Sequence, residues 1–281
     1  MKYRFARFPG FRAKAVTLSY DDGTMDDIRM VEILNRHGIK GTFNICSGLI
    51  PTEEDTDRNR PTAKEYAALY DSGHHEIAVH GDNHTALIKS APIDGIRQIL
   101  TDRTALEQIF GRFVRGMAYP DIGRTNQEIK TYLRQLGIVY ARCCGNETHG
   151  FDLPADWLEL APTCHHNDPA LFDCVERFLT EDPRKKYVSR RDSMLFYLWG
   201  HSFEFSSKNN WETLERFCEA IGGREEIWYA TNMEIYEYLH AYDSLLFTAD
   251  NSMVYNPTLL TVYFDIDGKE YQVAPGETRK L

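Results

Sequence analysis

The order of apolar segments along the chain constrains its fold more than any other feature. Short apolar stretches typical of strands are separated, for the most part, by segments with the periodicity of an amphipathic helix. Such alternation predicts a parallel sheet with right-handed crossovers. The predicted strands are residues 15–18, 41–45, 76–80, 114–118, 138–142, 194–199 and 227–230. The predicted helices are residues 27–37, 62–71, 92–110, 126–136, 169–179, 211–221 and 233–242.

These strands and helices predict an α/β fold, an irregular seven-stranded (β/α) barrel of the TIM type. A length of 281 residues is ordinary for one such barrel, and we assign residues 1–249 to it. After about residue 250, two alternating stretches flank Asp267 and Gly268, which is a hairpin signal. Because a lone hairpin is only marginally stable, we expect residues 250–281 to form a small β appendage packed on the barrel.

Two pairs of polar residues come at the ends of predicted strands, where α/β enzymes place their chemistry. Asp21 and Asp22 follow the first strand in the segment SYDDG, and His80 and His84 follow the third strand's apolar residues in HGDNH. The two histidines are one helical turn apart, so both rings can point the same way. Two imidazoles and one carboxylate are the usual protein ligands of a catalytic zinc ion, which keeps a fourth position for water. The pattern therefore predicts a mononuclear metal hydrolase.

Each motif taken alone also has a purely structural interpretation. An Asp-Asp-Gly sequence is often only a turn, and a chain with ten histidines can contain an HxxxH spacing by chance. The position of both motifs directly after apolar strands favours a metal site over these alternatives.

The same segments resemble those of a known family. SYDDG is similar to the TFDDG signature of the polysaccharide deacetylases, carbohydrate esterase family 4, and HGDNH is similar to that family's H[ST]xxH metal motif. Residues 116–126 resemble its groove-wall motif and residues 195–205 its late LxxH motif, in the expected order. Asp156 and Trp157 form a weaker match to an Asp-Trp motif. The resemblance runs from about residue 14 to about residue 245 and implies the same irregular barrel.

This resemblance implies a role for each polar residue. Asp22, His80 and His84 would bind one divalent metal ion, for which we expect zinc. Asp21 would be the general base and His201 the general acid. A bound zinc ion lowers the pKa of water from roughly 15.7 to about 7, and a cation lets two adjacent carboxylates stay ionised together. The expected activity is the metal-dependent removal of acetyl groups from an N- or O-acetylated carbohydrate.

The groove-wall segment departs from the family pattern. Where the family commonly has an arginine that orients the base, this chain has Met117 or Ala118. The stretch PDIG is one residue longer than the family's PYG, so either Asp121 or Ile122 would supply the backbone amide for the oxyanion. We expect Arg142, at the end of the next predicted strand, to replace the missing arginine.

Aromatic residues near these motifs would provide surfaces for a sugar ring. Tyr119, which we count among the catalytic-site residues, Trp199 and Phe203 could stack on a pyranose if the barrel forms. Strand-end packing is the alternative for Tyr119. His165 and His166, in the segment PTCHHND, could be extra ligands or substrate contacts, but a solvent-exposed loop is the favoured interpretation. The polar loop of residues 45–62 would be either a substrate contact or a plain connector.

Charge and hydropathy exclude other classes of protein. A net charge of −10 excludes nucleic acid as a partner. The apolar stretches fall far short of a membrane span, and the N-terminus lacks the apolar region of a signal peptide. As written, the chain is expected in the cytoplasm, although a chain trimmed of its leader would look the same, which leaves export open. The six cysteines lack CxxC spacing and are expected to be free thiols. The oligomeric state stays open.

Four functions compete. Deacetylation of a carbohydrate leads, and hydrolysis of a small cytoplasmic amide, such as a ureide, on the same fold is second. A catalytically silent sugar-binding barrel would explain the missing arginine, but the presence of Asp21 and His201 opposes it. An iron site for oxygen chemistry is disfavoured, because its ligands usually come from a double-stranded β-barrel with HxD spacing.

Overall fold

A curled parallel sheet forms the centre of the protein, in a computed structural model that describes residues 3–71, 74–121 and 123–281. The strands are β1 (Arg4–Arg7), β2 (Lys14–Asp21), β3 (Thr42–Ile45), β4 (Glu76–Val79), β5 (Gly116–Ala118), β6 (Tyr140–Arg142), β7 (Cys164–His165), β8 (Met194–His201), β9 (Ile227–Tyr229), β10 (Leu246–Phe247), β11 (Met253–Tyr255), β12 (Val262–Ile266), β13 (Lys269–Val273) and β14 (Thr278–Lys280). The helices are α1 (Asp26–Arg36), α2 (Ala63–Leu69), α3 (Pro92–Phe110), α4 (Gln127–Gln135), α5 (Leu171–Thr180), α6 (Phe203–Ser207), α7 (Trp211–Ile221) and α8 (Asn232–Asp243). Short 3₁₀ helices cover Ser47–Leu49, Leu87–Lys89, Pro183–Lys185 and Val188–Arg190.

The central sheet is parallel and irregular. In the described residues, seven strands follow one another in the order β6-β5-β4-β3-β2-β8-β7, and β9 pairs with β2 off this path. The start of β2 is in register with β9, Lys14 opposite Ile227, and its end is in register with β3, Ser19 opposite Thr42. The curled sheet forms a half-barrel, and the prediction of an irregular (β/α) barrel is confirmed.

The predicted strands and helices are all present, and their ends differ by a few residues. Strand β2 is longer than expected because β3 and β8 pair with it as far as Asp21. The two-residue strand β7, the N-terminal strand β1 and the short helix α6 were not predicted, because each is too short to give a periodic pattern.

Local signals in the sequence set several helix ends. Thr62 with Glu65, and Thr231 with Glu234, form capping boxes at the starts of α2 and α8. Helix α3 ends at Gly111, whose φ of 61° lies in the left-handed region that glycine adopts at little cost. The apolar faces of the helices cover the sheet and place Leu34, Leu133 and other side chains against the strand residues. All eight residues of β2 are consequently buried.

The C-terminal region contains the predicted hairpin. Strands β12 and β13 are joined by Asp267 and Gly268, which both have positive φ. Strand β12 also pairs antiparallel with β1, and the buried side chains of Arg7 and Asp265 form an ion pair of 2.5 Å across them. A second antiparallel sheet has the order β10-β11-β14. The small β appendage is thus confirmed, and its sheet includes residues from the start of the chain; the division at residue 249 stays a prediction.

Two further expectations concern the chain as a whole. The cysteines are free thiols, as expected. Across the residues that the structure describes, we find no helix with both the length and the apolar character needed to cross a membrane.

Candidate metal centre and active site

The carboxyl ends of β2 and β8 bring the first two candidate residues together. Asp21 is the last residue of β2, and its register partners are His201 on β8 and Asn44 on β3. Asn44 Nδ2 donates a hydrogen bond of 2.8 Å to Asp21 Oδ1. Because parallel strands end at one edge of the sheet, the motifs that follow β2, β4 and β8 meet there.

The three expected metal ligands converge at this edge. His84 Nε2 lies 3.4 Å from Asp22 Oδ1, and His80 Nε2 lies 3.7 Å from the same oxygen. One ligand atom from each residue can be chosen so that all three lie within 4.8 Å of one another. Asp22 and His84 have positive φ values of 75° and 60°. Such backbone geometry is uncommon outside glycine and is typical of functional sites.

The environment of His80 tests whether a metal ion fits these residues. His80 Nδ1 lies 2.9 Å from the carbonyl oxygen of Ala118, which can only accept, so Nδ1 carries a proton. In a neutral ring Nε2 then has a free lone pair, and this buried atom has no hydrogen-bond partner among the described residues. It faces Asp22 Oδ1 and, at 3.8 Å, Asp21 Oδ2. A lone pair buried opposite two carboxylates is satisfied by a cation, so the residues fit a divalent metal ion.

The effect of burial on the pKa of His80 agrees with this interpretation. Burial lowers the pKa of His80, and the charges of Asp21 and Asp22 only partly oppose that effect. The imidazole is therefore biased toward the neutral form that binds metals.

The missing motif arginine has a counterpart in space. Arg142, the last residue of β6, is fully buried and forms an ion pair with Asp21 through Nη2 and Oδ2. Its guanidinium also lies over the ring of Trp199, 4.5 Å from the centroid. Burial raises the pKa of Asp21, but the charges of Arg142, His80 and His201 outweigh it, so the pKa lies below the usual value. Asp21 is therefore an ionised carboxylate.

His201 lies near the second carboxylate oxygen of Asp22, one of the expected metal ligands. Its Nε2 lies 4.0 Å from Asp22 Oδ2, and its Nδ1 lies 3.4 Å from Glu204 Oε2. Burial lowers the pKa of His201, but the hydrogen bond with Glu204 and the charges of Asp21 and Asp22 raise it above the ordinary value overall. The ring is thus suited to carry a proton near neutral pH.

Tyr119 and Asp156 lie apart from these groups. The hydroxyl of Tyr119 donates to the carbonyl oxygen of Leu158 at 2.8 Å, and the ring is buried. Contrary to our expectation, Tyr119 has no open face for a sugar. Asp156 forms an ion pair of 2.8 Å with Lys130 and accepts a hydrogen bond from the amide of Leu158, as a structural residue does.

The two other aromatic residues expected to stack on a sugar differ in exposure, and one oxyanion candidate lies in the described residues. The ring of Trp199 is nearly buried, and its Nε1 donates to Glu147 at 2.9 Å. Phe203 is 37% exposed and keeps an accessible face. Of the two candidates for the oxyanion amide, Asp121 has a positive φ of 57°, and Ile122 lies outside the described residues.

The expectation that His165 and His166 form a solvent-exposed loop is wrong. His165 lies in β7 and is only partly exposed, and His166 is buried. The backbone amide of His166 donates to the carbonyl of Trp199 at 2.9 Å, which holds this segment beside β8. A Cβ atom at position 200 would lie only 2.0 Å from His166 Nδ1. Gly200, which has no Cβ, therefore leaves room for the His166 ring.

Several supporting residues were missed by sequence reasoning. Asp102 on α3 accepts hydrogen bonds from the amides of His80, at 2.9 Å, and Ser47, at 2.7 Å. From the polar loop, Arg60 Nε donates to the carbonyl oxygen of Asp22 at 3.1 Å. Of these residues, only Glu204 could have been suggested by the sequence. It follows His201 by three residues at the start of a helix, a spacing that allows the two side chains to contact each other.

Comparisons with known proteins agree with this geometry. The family model described as polysaccharide deacetylase matches residues 9–141. No curated protein sequence matches the chain.

Solved structures share the fold at low sequence identity. A Mycobacterium smegmatis protein, provisionally named a polysaccharide deacetylase, is 18% identical with a TM-score of 0.56, over 84% of this chain and 93% of that one. A family 4 acetyl xylan esterase from Clostridium thermocellum, in complex with a cobalt ion, is 15% identical with a TM-score of 0.52. The match covers 80% of this chain and 91% of the esterase. A Streptococcus pyogenes deacetylase in complex with acetate is 22% identical with a TM-score of 0.41; the match spans 46% of this chain and about half, 55%, of that one.

The segment matched by the family model contains Asp21, Asp22, His80 and His84, and the curled sheet that carries them is the barrel of the family's solved structures. Over residues 9–141 the chain is similar to the polysaccharide deacetylase family.

Proposed function

We propose that the protein is a metal-dependent deacetylase that hydrolyses the acetyl group of an N- or O-acetylated carbohydrate. The observation that carries this proposal is the buried lone pair of His80 Nε2, which faces Asp22 and Asp21 without a hydrogen-bond partner among the described residues. These ligand atoms need a cation. The ionised carboxylate of Asp21 and the imidazole of His201 lie beside them.

Asp22, His80 and His84 would hold one divalent ion, which we propose is zinc. When bound, the ion supplies a Lewis acid that polarises a carbonyl and lowers the pKa of water to about 7. The Clostridium thermocellum esterase is in complex with a cobalt ion, which supports a divalent metal at the corresponding site here.

Asp21 is placed to act as the general base. Asn44 and Arg142 each bind one of its carboxylate oxygens, so the side chain is held in one orientation. Because its pKa is depressed, the carboxylate is ionised at neutral pH and can accept the proton of an attacking water. Arg142 keeps the carboxylate charged and oriented, which is the role we assign to it.

His201 is placed to act as the general acid. Its Nε2 lies 4.0 Å from Asp22 Oδ2, whereas His80 and His84 lie near the other oxygen, Oδ1. A raised pKa keeps the ring protonated near neutrality, so it can donate a proton to the departing amine or alcohol. The proposed base and the proposed acid therefore come from paired positions on the adjacent strands β2 and β8.

Acetate release from a panel of N-acetyl and O-acetyl saccharides tests the proposal. The protein is first stripped with a chelator and then supplied with zinc. Release that stops on stripping and returns with zinc is the expected result, and the variant Asp21→Asn should bind zinc but release almost no acetate. Asp94→Asn, an exposed substitution on α3, is the matched control. Tight zinc binding without release from any saccharide would contradict the proposal and favour a small amide as the substrate.

A further inference from the structure

A second group of polar side chains lies behind His201, and it includes the two histidines of PTCHHND. Glu204 Oε2 is 3.0 Å from His165 Nε2, 3.3 Å from His166 Nε2 and 3.4 Å from His201 Nδ1. We call His165, Glu204 and His201 the histidine network. None of its members is among the expected metal ligands.

The position of the proton on His165 follows from its backbone neighbour. The amide N–H of Asn167 donates to His165 Nδ1 at 3.0 Å, so Nδ1 is an acceptor. The ring proton therefore sits on Nε2, the atom that lies 3.0 Å from Glu204 Oε2. His165 thus donates a hydrogen bond to Glu204.

Glu204 in turn acts as an acceptor for His201. Burial raises the pKa of Glu204, but the hydrogen bonds with His165 and His201 outweigh it, so the carboxyl is ionised at neutral pH. An ionised carboxylate only accepts, which places a proton on His201 Nδ1. With Nδ1 fixed in this way, His201 Nε2 is directed to Asp22 Oδ2, 4.0 Å away.

We propose that Glu204 and His165 are positioning residues for His201: Glu204 binds His201 Nδ1, and His165 holds Glu204 in place. The network keeps Nε2 of His201 aimed at the position of the leaving group. This proposal rests on the proposed function, in which His201 donates a proton to the departing group. It also gives a role to the PTCHHND segment, which the motifs of the family do not cover.

A second metal site is the alternative for these residues. Ligand atoms of His165, His201 and Glu204 lie within 4.8 Å of one another, a spacing that a metal ion could bridge. A histidine that binds a metal normally donates its other ring N–H to an acceptor. Here Nδ1 of His165 faces the N–H of Asn167, a donor, so His165 Nε2 keeps its proton. The hydrogen-bond directions therefore favour positioning over metal binding.

Steady-state kinetics of acetate release by the zinc-loaded enzyme form the first part of the test. We expect Glu204→Met, which removes the acceptor, to lower kcat by about 30-fold, less than the roughly 100-fold or more that a general acid contributes, because His201 itself remains. KM should change less than about twofold. Glu204→Gln restores an acceptor oxygen and should recover part of the loss, and His165→Phe should lower kcat by a smaller factor. Lys208→Met is the control, because Lys208 lies 3.5 Å from the other oxygen, Oε1.

Two readouts do not depend on activity. In ¹⁵N-histidine NMR spectra recorded at a pH high enough to make the His201 ring neutral, its one proton should be on Nδ1 in the wild type and should be shared between the two nitrogens in Glu204→Met. Zinc stoichiometry should be one per chain in the wild type and in His165→Phe. An unchanged kcat and tautomer in Glu204→Met would overturn the proposal. So would two zinc ions in the wild type and one in His165→Phe, which would identify a second metal site. If the wild type releases no acetate at all, the proposed function fails, and the NMR comparison alone decides the positioning role.

Discussion

Asp21 and His201 lie opposite each other in the register of the parallel strands β2 and β8. Neighbouring strands are about 4.8 Å apart, so the sheet itself fixes the spacing between the proposed base and the proposed acid. A slip of one residue would turn one of these side chains to the other face of the sheet. The eight paired positions from Lys14 to Asp21 oppose such a slip.

Substitution of the proposed carboxylate ligand, Asp22, should strongly weaken zinc binding. Asp22→Asn removes the negative charge that faces both His80 and His84. Loss of outer-shell partners typically weakens metal affinity by 10–100-fold, so we expect loss of a ligand to weaken zinc affinity by more than about 100-fold. Equilibrium dialysis against a zinc buffer measures this change, with Asp94→Asn as the control. Zinc affinity within threefold of the wild type would rule out Asp22 as a ligand.

Substitution of the buried arginine should affect turnover far more than zinc affinity. Arg142→Met leaves the carboxylate of Asp21 without its cation, and we expect kcat to fall by about 100-fold or more because the base loses its charge and orientation. Arg142 contacts none of the expected metal ligands directly, so zinc affinity should change little. Unchanged turnover would reject the role we assign to Arg142.

The stability of the Arg142 variants has to be measured alongside their kinetics. Removing one partner of a buried ion pair costs about 3–5 kcal/mol, so Arg142→Met is expected to unfold at lower denaturant concentration. Arg142→Lys keeps the charge but loses the planar fork, and should retain more stability than activity. This variant separates loss of orientation from loss of folding.

The stability of the fold should fall in mild acid through His75. Gly41 donates its amide N–H to His75 Nδ1 at 3.1 Å, and burial lowers the pKa of His75 to about 4 from the ordinary 6.5. The unfolded chain therefore binds this proton more tightly than the folded chain. Stability from this group is complete above about pH 6.5 and is lost as the pH falls toward about 4, up to about 3 kcal/mol.

Urea unfolding of the wild type and His75→Gln between pH 4 and pH 7 measures this contribution. The difference in free energy of unfolding between the two proteins should shrink as the pH falls. His240→Gln, at an exposed position on α8, is the control. A difference that stays constant over this range would exclude His75 as the titrating group.

The ion pair between Arg7 and Asp265 should be a stability determinant that does not affect catalysis. Both side chains are buried, so Arg7→Met leaves a buried carboxylate unpaired and should cost about 3–5 kcal/mol. The double variant Arg7→Met with Asp265→Leu should recover much of this loss, because no unpaired charge remains. Thermal unfolding of the single and double variants measures the coupling, and additive effects of the two substitutions would contradict it.

Sequence patterns predicted the sheet and the main groups of the candidate site, for a clear physical reason. Apolar periodicity is a local property of the sequence, so it predicts the strands. Residues that follow parallel strands meet at one edge of the sheet, so the proximity of Asp22, His80 and His84 could be predicted. Arg142 could be suggested because it also ends a strand.

Other parts of the site could not be predicted because they depend on long-range contacts. The two residues of β7 give no periodic signal, so nothing indicated that His166 would be buried or that His165 would approach Glu204. Likewise, Tyr119 directly follows β5, but its hydroxyl donates to the carbonyl oxygen of Leu158, which is 39 residues away along the chain.

The pairing of β1 with β12 joins two segments that are far apart along the chain. Arg4 pairs with Ile266. The chain between them, which carries all the proposed catalytic residues, therefore forms one long loop that this strand pairing closes. Contacts between such distant segments carry a cost in loop-closure entropy, which is lost before the contacts stabilise the chain. Deleting the last strands would therefore also release the segment that leads into β2, whose final residue is the proposed base. A tail without catalytic groups thus helps to anchor the start of the active-site strand.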